Sequence, residues 1–274
     1  MTPPSQPRYE SFFDANGRFI AEQGVISPSR ESWSDCHVEM PALIEKKLRT
    51  FEQRHLTVPK HARYAVMGSL EAHLSEVWFV CHGHGQLASR FLSRFLPLER
   101  PDRLFIAPEA LSRYYLTAAV VGPHPPGTAV GASWMTTEDR EIEMEDYVSY
   151  LDLLHDETFS VVDRSKVKLW ALGFSQGTAT VARWVVRGKA QPDRVVFCSG
   201  LLPPEVTAEG AGRLARHAPL TIVLGRRDDF ARPELVASQE ARLHELRVPH
   251  QVIRFDGGHE ITPEVLQLLT TAQA

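Results

Sequence analysis

The chain has 274 residues, of which 43% are hydrophobic and 23% are charged. These values are typical of a soluble globular protein, and a chain of this length buries enough surface to fold without disulfides or a structural metal. The formal net charge is −4 and the sequence pI is about 6.3. An acidic balance argues against nucleic acid or an anionic membrane as the main partner, because neither attracts a negative surface.

The cysteines and the chain start indicate the compartment. Cys36, Cys81 and Cys198 lie far apart, without zinc-type spacing or a disulfide framework. The first ten residues carry no secretory signal, and the longest apolar stretches, Val77–Cys81 and Val195–Leu202, are shorter than the ~18 residues that a membrane helix needs. We therefore predict a cytoplasmic protein with no metal, no cofactor and no stable membrane insertion.

The first part of the chain differs from the rest. Residues 1 to about 38 are rich in Pro, Ser, Arg and Glu and show no sustained hydrophobic period, which indicates a loosely held extension. Apolar residues near helical spacing then predict a short helix over 41–54, with Pro41 in its first turn. We predict an N-terminal extension over 1–54 and one main domain over 55–274.

In the main domain, short β-branched and aromatic runs alternate with segments of helical period. Several runs are apolar at consecutive positions, which is typical of strands covered on both faces. The alternation predicts an α/β fold with a mostly parallel central sheet and helices on both faces. The predicted strands are Arg63–Met67, Val77–Cys81, Leu104–Ala107, Val167–Leu172, Val195–Cys198, Leu220–Leu224 and Gln251–Phe255. The predicted helices contain the apolar stripes Leu87–Phe95, Met144–Leu154, Leu235–Leu246 and Val265–Leu269.

The longest irregular stretch runs from Pro108 to about Arg140, and its middle, Gly122–Gly131, is a Gly/Pro loop predicted to lack regular structure. Such loops are usually functional or mobile, and ligands of parallel sheets bind at the carboxyl ends of the strands. We expect this stretch to cover a fairly open site. The candidate pocket residues are Glu109, Arg113, Tyr114, Tyr115, Trp134 and Met135. For each of them, ordinary packing within the loop is at least as strong an interpretation.

A G-x-S-x-G pattern, Gly173 to Gly177, holds Ser175 between an apolar strand and a segment with helical spacing. The pattern alone is weak evidence, and an ordinary Gly/Ser turn is the alternative. Its context, however, is the strand–turn–helix in which a nucleophilic serine stands on a strained turn. The flanking glycines make room for that turn, and the helix N-terminus favours developing negative charge.

A serine nucleophile needs a base, and the base needs an acid to orient it. In this arrangement the acid and then the histidine follow the serine along the chain. His259 is the candidate base, because it follows the last strand in a Gly-rich loop just before a helix start; a surface histidine is the alternative. For the acid, Asp228 is favoured over Asp229. Remote alternatives are Glu205 and Glu209, and Asp256 is interpreted as a turn residue.

A second glycine-rich turn, His82 to Gln86, follows the strand Val77–Cys81. A turn at this place supplies one backbone N–H of an oxyanion hole, and the residue after the nucleophile, Gln176, supplies the other. The His-x-His spacing also raises a metal site as an alternative. No third ligand with suitable spacing follows, so the oxyanion interpretation is favoured.

Four ordered motifs now form a set: CHGHGQ at 81–86, GFSQG at 173–177, GRRD at 225–228 and GGHEI at 257–261. Together they resemble the phospholipase/carboxylesterase branch of the α/β-hydrolases, which includes acyl-protein thioesterases. The resemblance covers about residues 56–274 and has no counterpart for the extension. It implies an α/β-hydrolase fold, and the segment Gly200–Pro219 is too short for a separate cap domain.

Carried over by position, the resemblance implies Ser175 as nucleophile, Asp228 as acid and His259 as base. It implies the backbone N–H groups of His84 and Gln176 as oxyanion donors. Trp134 and Met135, in the sequence SWMTT, resemble the branch's WF substrate-side segment, although the aspartate of its usual WFD is absent.

The predicted protein is a carboxylesterase that cleaves esters with small to medium acyl groups through an acyl-enzyme intermediate. A thioesterase or a dienelactone-type hydrolase is the alternative within the same chemistry. A more distant alternative is a binding protein that kept the fold and lost catalysis. The predicted partner is a small-molecule ester substrate, with a second copy of the chain, a homodimer, as a further candidate.

Overall fold

The computed structural model describes residues 52–70, 73–117 and 122–271. The chain divides into two compact units: residues 62–116 with 122–274 form one, and residues 1–61 with 117–121 form the other. In the second unit only 52–61 and 117 are described, and they contain no helix or strand. The predicted extension and nearly all of the predicted helix over 41–54 lie outside the described residues.

The larger unit is built on a seven-stranded sheet, and all seven predicted strands are confirmed with small shifts at their ends. They are β1 (Tyr64–Met67), β2 (Glu76–Cys81), β3 (Arg103–Pro108), β6 (Lys168–Phe174), β7 (Arg194–Cys198), β8 (Leu220–Gly225) and β9 (His250–Phe255). Among the described residues their order in the sheet is β1-β3-β2-β6-β7-β8-β9. Six strands are parallel, and β1 pairs antiparallel with β3 at one edge.

Helices cover both faces of this sheet, as predicted. They are α1 (Ala88–Leu92), which continues into a 3-10 turn (Ser93–Leu98), α2 (Arg140–Val161), α3 (Gln176–Arg187), α4 (Ala208–Ala211), α5 (Pro233–Glu245) and α6 (Pro263–Thr271); a 3-10 turn (Arg164–Lys166) precedes β6. Along β2, Val77 and Phe79 face a core formed with α2, α3 and α5, whereas Trp78 and Val80 face a core formed with α1 and α6. This alternation follows from the two-residue period of a strand.

One prediction is wrong: the stretch from Pro108 to Arg140 is not irregular throughout. It contains a separate two-stranded antiparallel hairpin of β4 (Ser112–Tyr115) and β5 (Val130–Ser133). The two strands have four residues each and are joined by a long connection, so no short turn signal reveals their pairing. Gly131, placed in the predicted loop, is a strand residue.

Two features of the larger unit concern the edge of the sheet at the carboxyl ends of the strands. Between β7 and β8 the only helix is the four-residue α4, so no separate cap domain is inserted there. The hairpin lies beside the end of β2 instead, where Gln86 and Ala132 form a bridge.

In the described ranges, no helix is both long enough and apolar enough to cross a membrane.

Candidate active site

Ser175 stands on a strained turn between β6 and α3. Its φ is 53°, in the left-handed region that side-chain-bearing residues rarely adopt. A Cβ on Gly173 would lie 2.2 Å from the Gly177 carbonyl oxygen, and a Cβ on Gly177 would lie 2.2 Å from the Cys81 carbonyl oxygen. Both glycines are therefore required by close backbone approach, as the G-x-S-x-G pattern predicts.

The three residues predicted as nucleophile, base and acid form one hydrogen-bonded chain. His259 Nε2 lies 2.9 Å from Ser175 Oγ, and His259 Nδ1 lies 3.0 and 3.1 Å from the two carboxylate oxygens of Asp228. The Asp228 side chain is fully buried, whereas His259 is about one-quarter exposed. Asp229, the alternative acid, is exposed to solvent.

The environment of Asp228 keeps its carboxyl ionised. Burial alone would raise the pKa of this group, but the hydrogen bonds from His259 and from the Phe230 backbone N–H outweigh it and hold the pKa below its ordinary value. Because the ionised Asp228 carboxylate accepts a hydrogen bond from Nδ1, the proton of a neutral His259 ring lies on that nitrogen. Nε2 is then left free to accept a proton from the Ser175 hydroxyl.

Two aromatic rings flank the imidazole of His259. The ring centroid of Phe174 lies 5.0 Å away and that of Phe230 lies 4.8 Å away. Phe230 is 72% exposed despite its size. Sequence reasoning missed Phe230; its one signal is that it follows the favoured acid by two residues. Its ring supplies an apolar surface beside the histidine.

The glycine-rich turn after β2 lies directly against the serine. A Cβ on Gly83 would come 3.2 Å from Ser175 Cβ. The next backbone N–H, that of His84, and the N–H of Gln176 at the start of α3 donate to no protein acceptor in the described parts of the chain. Two unpaired N–H groups beside a serine hydroxyl are the donors that a developing oxyanion would need.

His82 fastens this turn from behind. Its ring is fully buried, and Nε2 accepts the Ala110 N–H at 3.0 Å, so Nδ1 carries the proton and donates to the Gly83 carbonyl at 2.7 Å. Burial lowers the pKa of His82, which is consistent with a neutral ring. Both ring nitrogens are therefore engaged, and the described residues contain no cluster of three or more side chains suited to a metal ion.

The predicted pocket residues have different surroundings. Tyr114 OH lies 2.5 Å from His84 Nε2, so it adjoins the turn. The Met135 carbonyl accepts a hydrogen bond from Gln176, and its sulfur lies 3.1 Å from an Arg183 nitrogen. Trp134 is only 2% exposed and donates from Nε1 to the His82 carbonyl, so it packs behind the turn instead of lining an open pocket.

The charged candidates of the same stretch are paired with each other. The Arg113 guanidinium lies 3.1 Å from a Glu109 carboxylate oxygen. Glu109 is buried and also accepts two hydrogen bonds from Arg63. Tyr115 stacks on His124 with 3.6 Å between ring centroids. These contacts are the ordinary packing roles that sequence analysis gave as the alternative.

The remote alternatives for the acid are occupied elsewhere or exposed. Glu205 pairs with Arg183 and Arg140. Asp256 lies in a bend after β9, which agrees with its interpretation as a turn residue, and it pairs with Arg227; Glu209 is exposed. Asp228 is thus the candidate acid whose carboxylate lies against His259.

No family model matches the chain, and no curated protein matches it by sequence. Solved structures do match. Zea mays acyl-protein thioesterase 2 has 20% identity and a TM-score of 0.57, covering 78% of this chain and 98% of its own. A carboxylesterase from Mesorhizobium loti has 14% identity and a TM-score of 0.59, covering 78% and 95%. A phospholipase/carboxylesterase from Dyadobacter fermentans has 16% identity and a TM-score of 0.53, covering 78% and 97%.

The chain has the α/β-hydrolase fold seen in esterase-type enzymes, as the four sequence motifs predicted. At identities of 20% or less the likeness concerns the fold, and the chemistry has to be argued from the site itself.

Proposed function

We propose that this protein is a serine hydrolase that cleaves carboxylic esters of small to medium acyl groups. The observation that carries the proposal is the continuous hydrogen-bonded chain from Ser175 through His259 to Asp228. It lies beside two backbone N–H groups that have no acceptor among the described residues. A nucleophile, a base held by an acid, and oxyanion donors are the parts that acyl transfer requires.

In the proposed mechanism, Ser175 Oγ attacks the ester carbonyl carbon while His259 Nε2 takes the hydroxyl proton. The carbonyl oxygen becomes an oxyanion that accepts hydrogen bonds from the N–H groups of His84 and Gln176. The intermediate collapses to an acyl-enzyme, and His259 protonates the departing alkoxide. Water then repeats the attack, with His259 again as base, and releases the acid and free Ser175.

The rim of the site favours an apolar acyl or alcohol group. Phe230 offers an exposed ring next to His259, and the absence of a cap between β7 and β8 leaves room for substrates of differing length. A thioester is the second candidate, supported by the likeness to Zea mays acyl-protein thioesterase 2. The same hydrogen-bonded chain serves both linkages, since the attacked carbonyl is common to them.

The test combines covalent labelling with a substrate series. A fluorophosphonate probe should label the wild-type protein, and Ser175→Ala and His259→Ala should abolish labelling. Hydrolysis of p-nitrophenyl esters and matched thioesters of increasing acyl length should fall in Ser175→Ala by about 10³-fold or more in kcat. Ser93→Ala, an exposed serine on the turn after α1, is the matched control and should keep wild-type activity. A Ser175→Ala protein with full esterase activity would refute the proposal.

A further inference from the structure

We propose that Ser133, at the end of β5, is a positioning residue that holds the two oxyanion donors at a fixed separation. The inference rests on the proposed function and adds to it a residue that no sequence motif marks. Ser133 is 3% exposed, so it acts through its neighbours and not by touching the substrate.

The Ser133 hydroxyl contacts both residues whose backbone N–H groups are the proposed oxyanion donors, His84 and Gln176. Its Oγ lies 3.3 Å from His84 Nδ1 and 3.2 Å from Gln176 Nε2. It also donates to the Met135 carbonyl at 2.9 Å. A hydroxyl has one proton to donate and two lone pairs to accept, so these contacts use it fully.

The remaining contacts fix the direction of each hydrogen bond. Tyr114 OH lies 2.5 Å from His84 Nε2. Because the Ser133 hydroxyl proton is donated to the Met135 carbonyl, Ser133 Oγ accepts the proton on His84 Nδ1. His84 Nε2 then carries no proton and accepts a hydrogen bond from Tyr114 OH. The Gln176 carboxamide accepts the Trp134 N–H at 3.0 Å and donates to the Met135 carbonyl at 2.9 Å. Every polar atom of the network thus has a partner of the correct type.

Such a network is needed because the two donors belong to different elements. His84 sits between Gly83 and Gly85, in a turn whose backbone is intrinsically permissive, whereas Gln176 is fixed at the start of α3. Oxyanion donors act only when both lie about 2.7–3.1 Å from the oxygen of the tetrahedral intermediate. A shared side-chain contact through Ser133 holds the permissive turn against the rigid helix.

The first test is Ser133→Ala, with Ser112→Ala as its control. Ser112 is the β4 residue directly paired with Ser133, has the same side chain and is exposed to solvent. Ser133→Ala should lower kcat for ester hydrolysis about 10-fold or more, since small misplacements of catalytic groups have effects of this size. Its KM should stay within about twofold of wild type, because a loss confined to the transition state leaves ground-state binding unchanged. Ser112→Ala should match wild type in both constants.

The second test asks whether Ser133 acts through His84. His84→Ala removes the ring but keeps the backbone N–H, so it releases the turn in the same way as Ser133→Ala. Residues that act as one unit are non-additive, so the double variant should have the kcat of the more impaired single variant. Thermal unfolding of each variant separates a local effect from loss of the fold. If Ser133→Ala does not fold, Ser133→Cys replaces it, with a weaker donor of similar shape.

The outcomes separate this inference from the proposed function. If the wild-type protein is neither labelled by fluorophosphonate nor active on any ester or thioester, the proposed function fails first. If wild type is active but Ser133→Ala matches Ser112→Ala, the positioning role is overturned and the proposed function stands. Additive effects in the double variant, or a change in KM alone, would likewise overturn the role of Ser133.

Discussion

Two adjacent aspartates follow β8, and their surroundings differ sharply. The Asp228 carboxylate is buried and accepts hydrogen bonds from His259 and from the Phe230 N–H, whereas Asp229 is exposed. The Asp228 backbone N–H also bonds to the Gly225 carbonyl, which turns the chain so that this side chain points at the histidine. A shift of one residue along the chain therefore decides which carboxylate lies against His259.

We predict that Asp228→Asn lowers kcat by about 10³- to 10⁴-fold, because an amide in this place favours the wrong tautomer of His259. Asp229→Asn is the control and should leave kcat within about twofold of wild type, since a change at an exposed side chain has little effect. Steady-state kinetics on one ester substrate measures both. Equal losses in the two variants, or a larger loss in Asp229→Asn, would contradict the assignment of Asp228.

At this scale the sequence predicts residues that sit in local motifs. Ser175, His259 and Asp228 each follow a strand end in a recognisable Gly-containing turn. Because the carboxyl ends of parallel strands lie at the same edge of the sheet, these three side chains are expected to come together. Ser133 and Phe230 carry no such signal. A buried serine hydroxyl and an exposed aromatic become meaningful only when tertiary neighbours are known, because the same residue types are ordinary in any chain.

At the scale of elements, the β4–β5 hairpin supports the turn after β2. The Gly85 N–H donates to the Ala132 carbonyl at 2.9 Å, and the Ala132 N–H donates to the Gln86 carbonyl at 3.1 Å. Beside this pair, a Cβ on Gly131 would come 2.4 Å from the Gly85 carbonyl oxygen. Gly131 is therefore required by close approach of two backbones, and its φ lies outside the left-handed region.

We predict that Gly131→Ala pushes the hairpin away from the turn, lowers the free energy of unfolding by about 1–3 kcal/mol, and lowers kcat with it. Gly212→Ala is the control: Gly212 has an α-helical φ of −60° and open space where the methyl would go. This variant should be neutral or slightly stabilised, by roughly 0.4–1 kcal/mol. Urea unfolding and steady-state kinetics test both variants. Unchanged kcat in a folded Gly131→Ala would show that the hairpin does not support the turn.

The sequence predicted the seven sheet strands but not this hairpin, for a physical reason. Buried parallel strands are apolar at consecutive positions, which makes them visible in a single sequence. The hairpin strands Ser112–Tyr115 and Val130–Ser133 are short, lie far apart along the chain and are partly exposed. Their backbone hydrogen bonds to the turn after β2 are tertiary contacts that local periodicity does not report.

At the scale of the larger unit, one ionic cluster joins segments that are distant in sequence. Arg183 in α3 is buried and pairs with Glu205, in the segment between β7 and α4, and it donates to Tyr147 OH in α2 at 3.2 Å. Arg140, at the start of α2, donates to the same Glu205 at 2.9 Å. Arg140 also lies 3.5 Å from a Glu141 carboxylate oxygen, but among the described residues Glu205 is the carboxylate that pairs with Arg183, so the buried charge of Arg183 depends on it.

The protonation of Glu205 gives this cluster a pH dependence. Partial burial would raise the pKa of its carboxyl, but hydrogen bonds from Arg183, from its own backbone and from Arg140 outweigh it and hold the pKa at about 2. The ordinary value is 4.5. A pKa that folding depresses contributes stability that is fully present above the ordinary value and is lost as the pH falls from there through about 2.

We predict that Glu205→Gln lowers the free energy of unfolding by about 3 kcal/mol near neutral pH, because it leaves the buried Arg183 charge without its partner. The difference in the free energy of unfolding between Glu205→Gln and wild type should shrink as the pH falls below about 4.5. In this range Glu205 binds a proton in the unfolded wild-type chain but not in the folded one. Glu209→Gln, an exposed residue of the same segment, is the control and should unfold like wild type. Urea unfolding across this pH range measures all three proteins. A difference that stays constant into acid would contradict the role given to Glu205, since the lost stability would then not come from its charge.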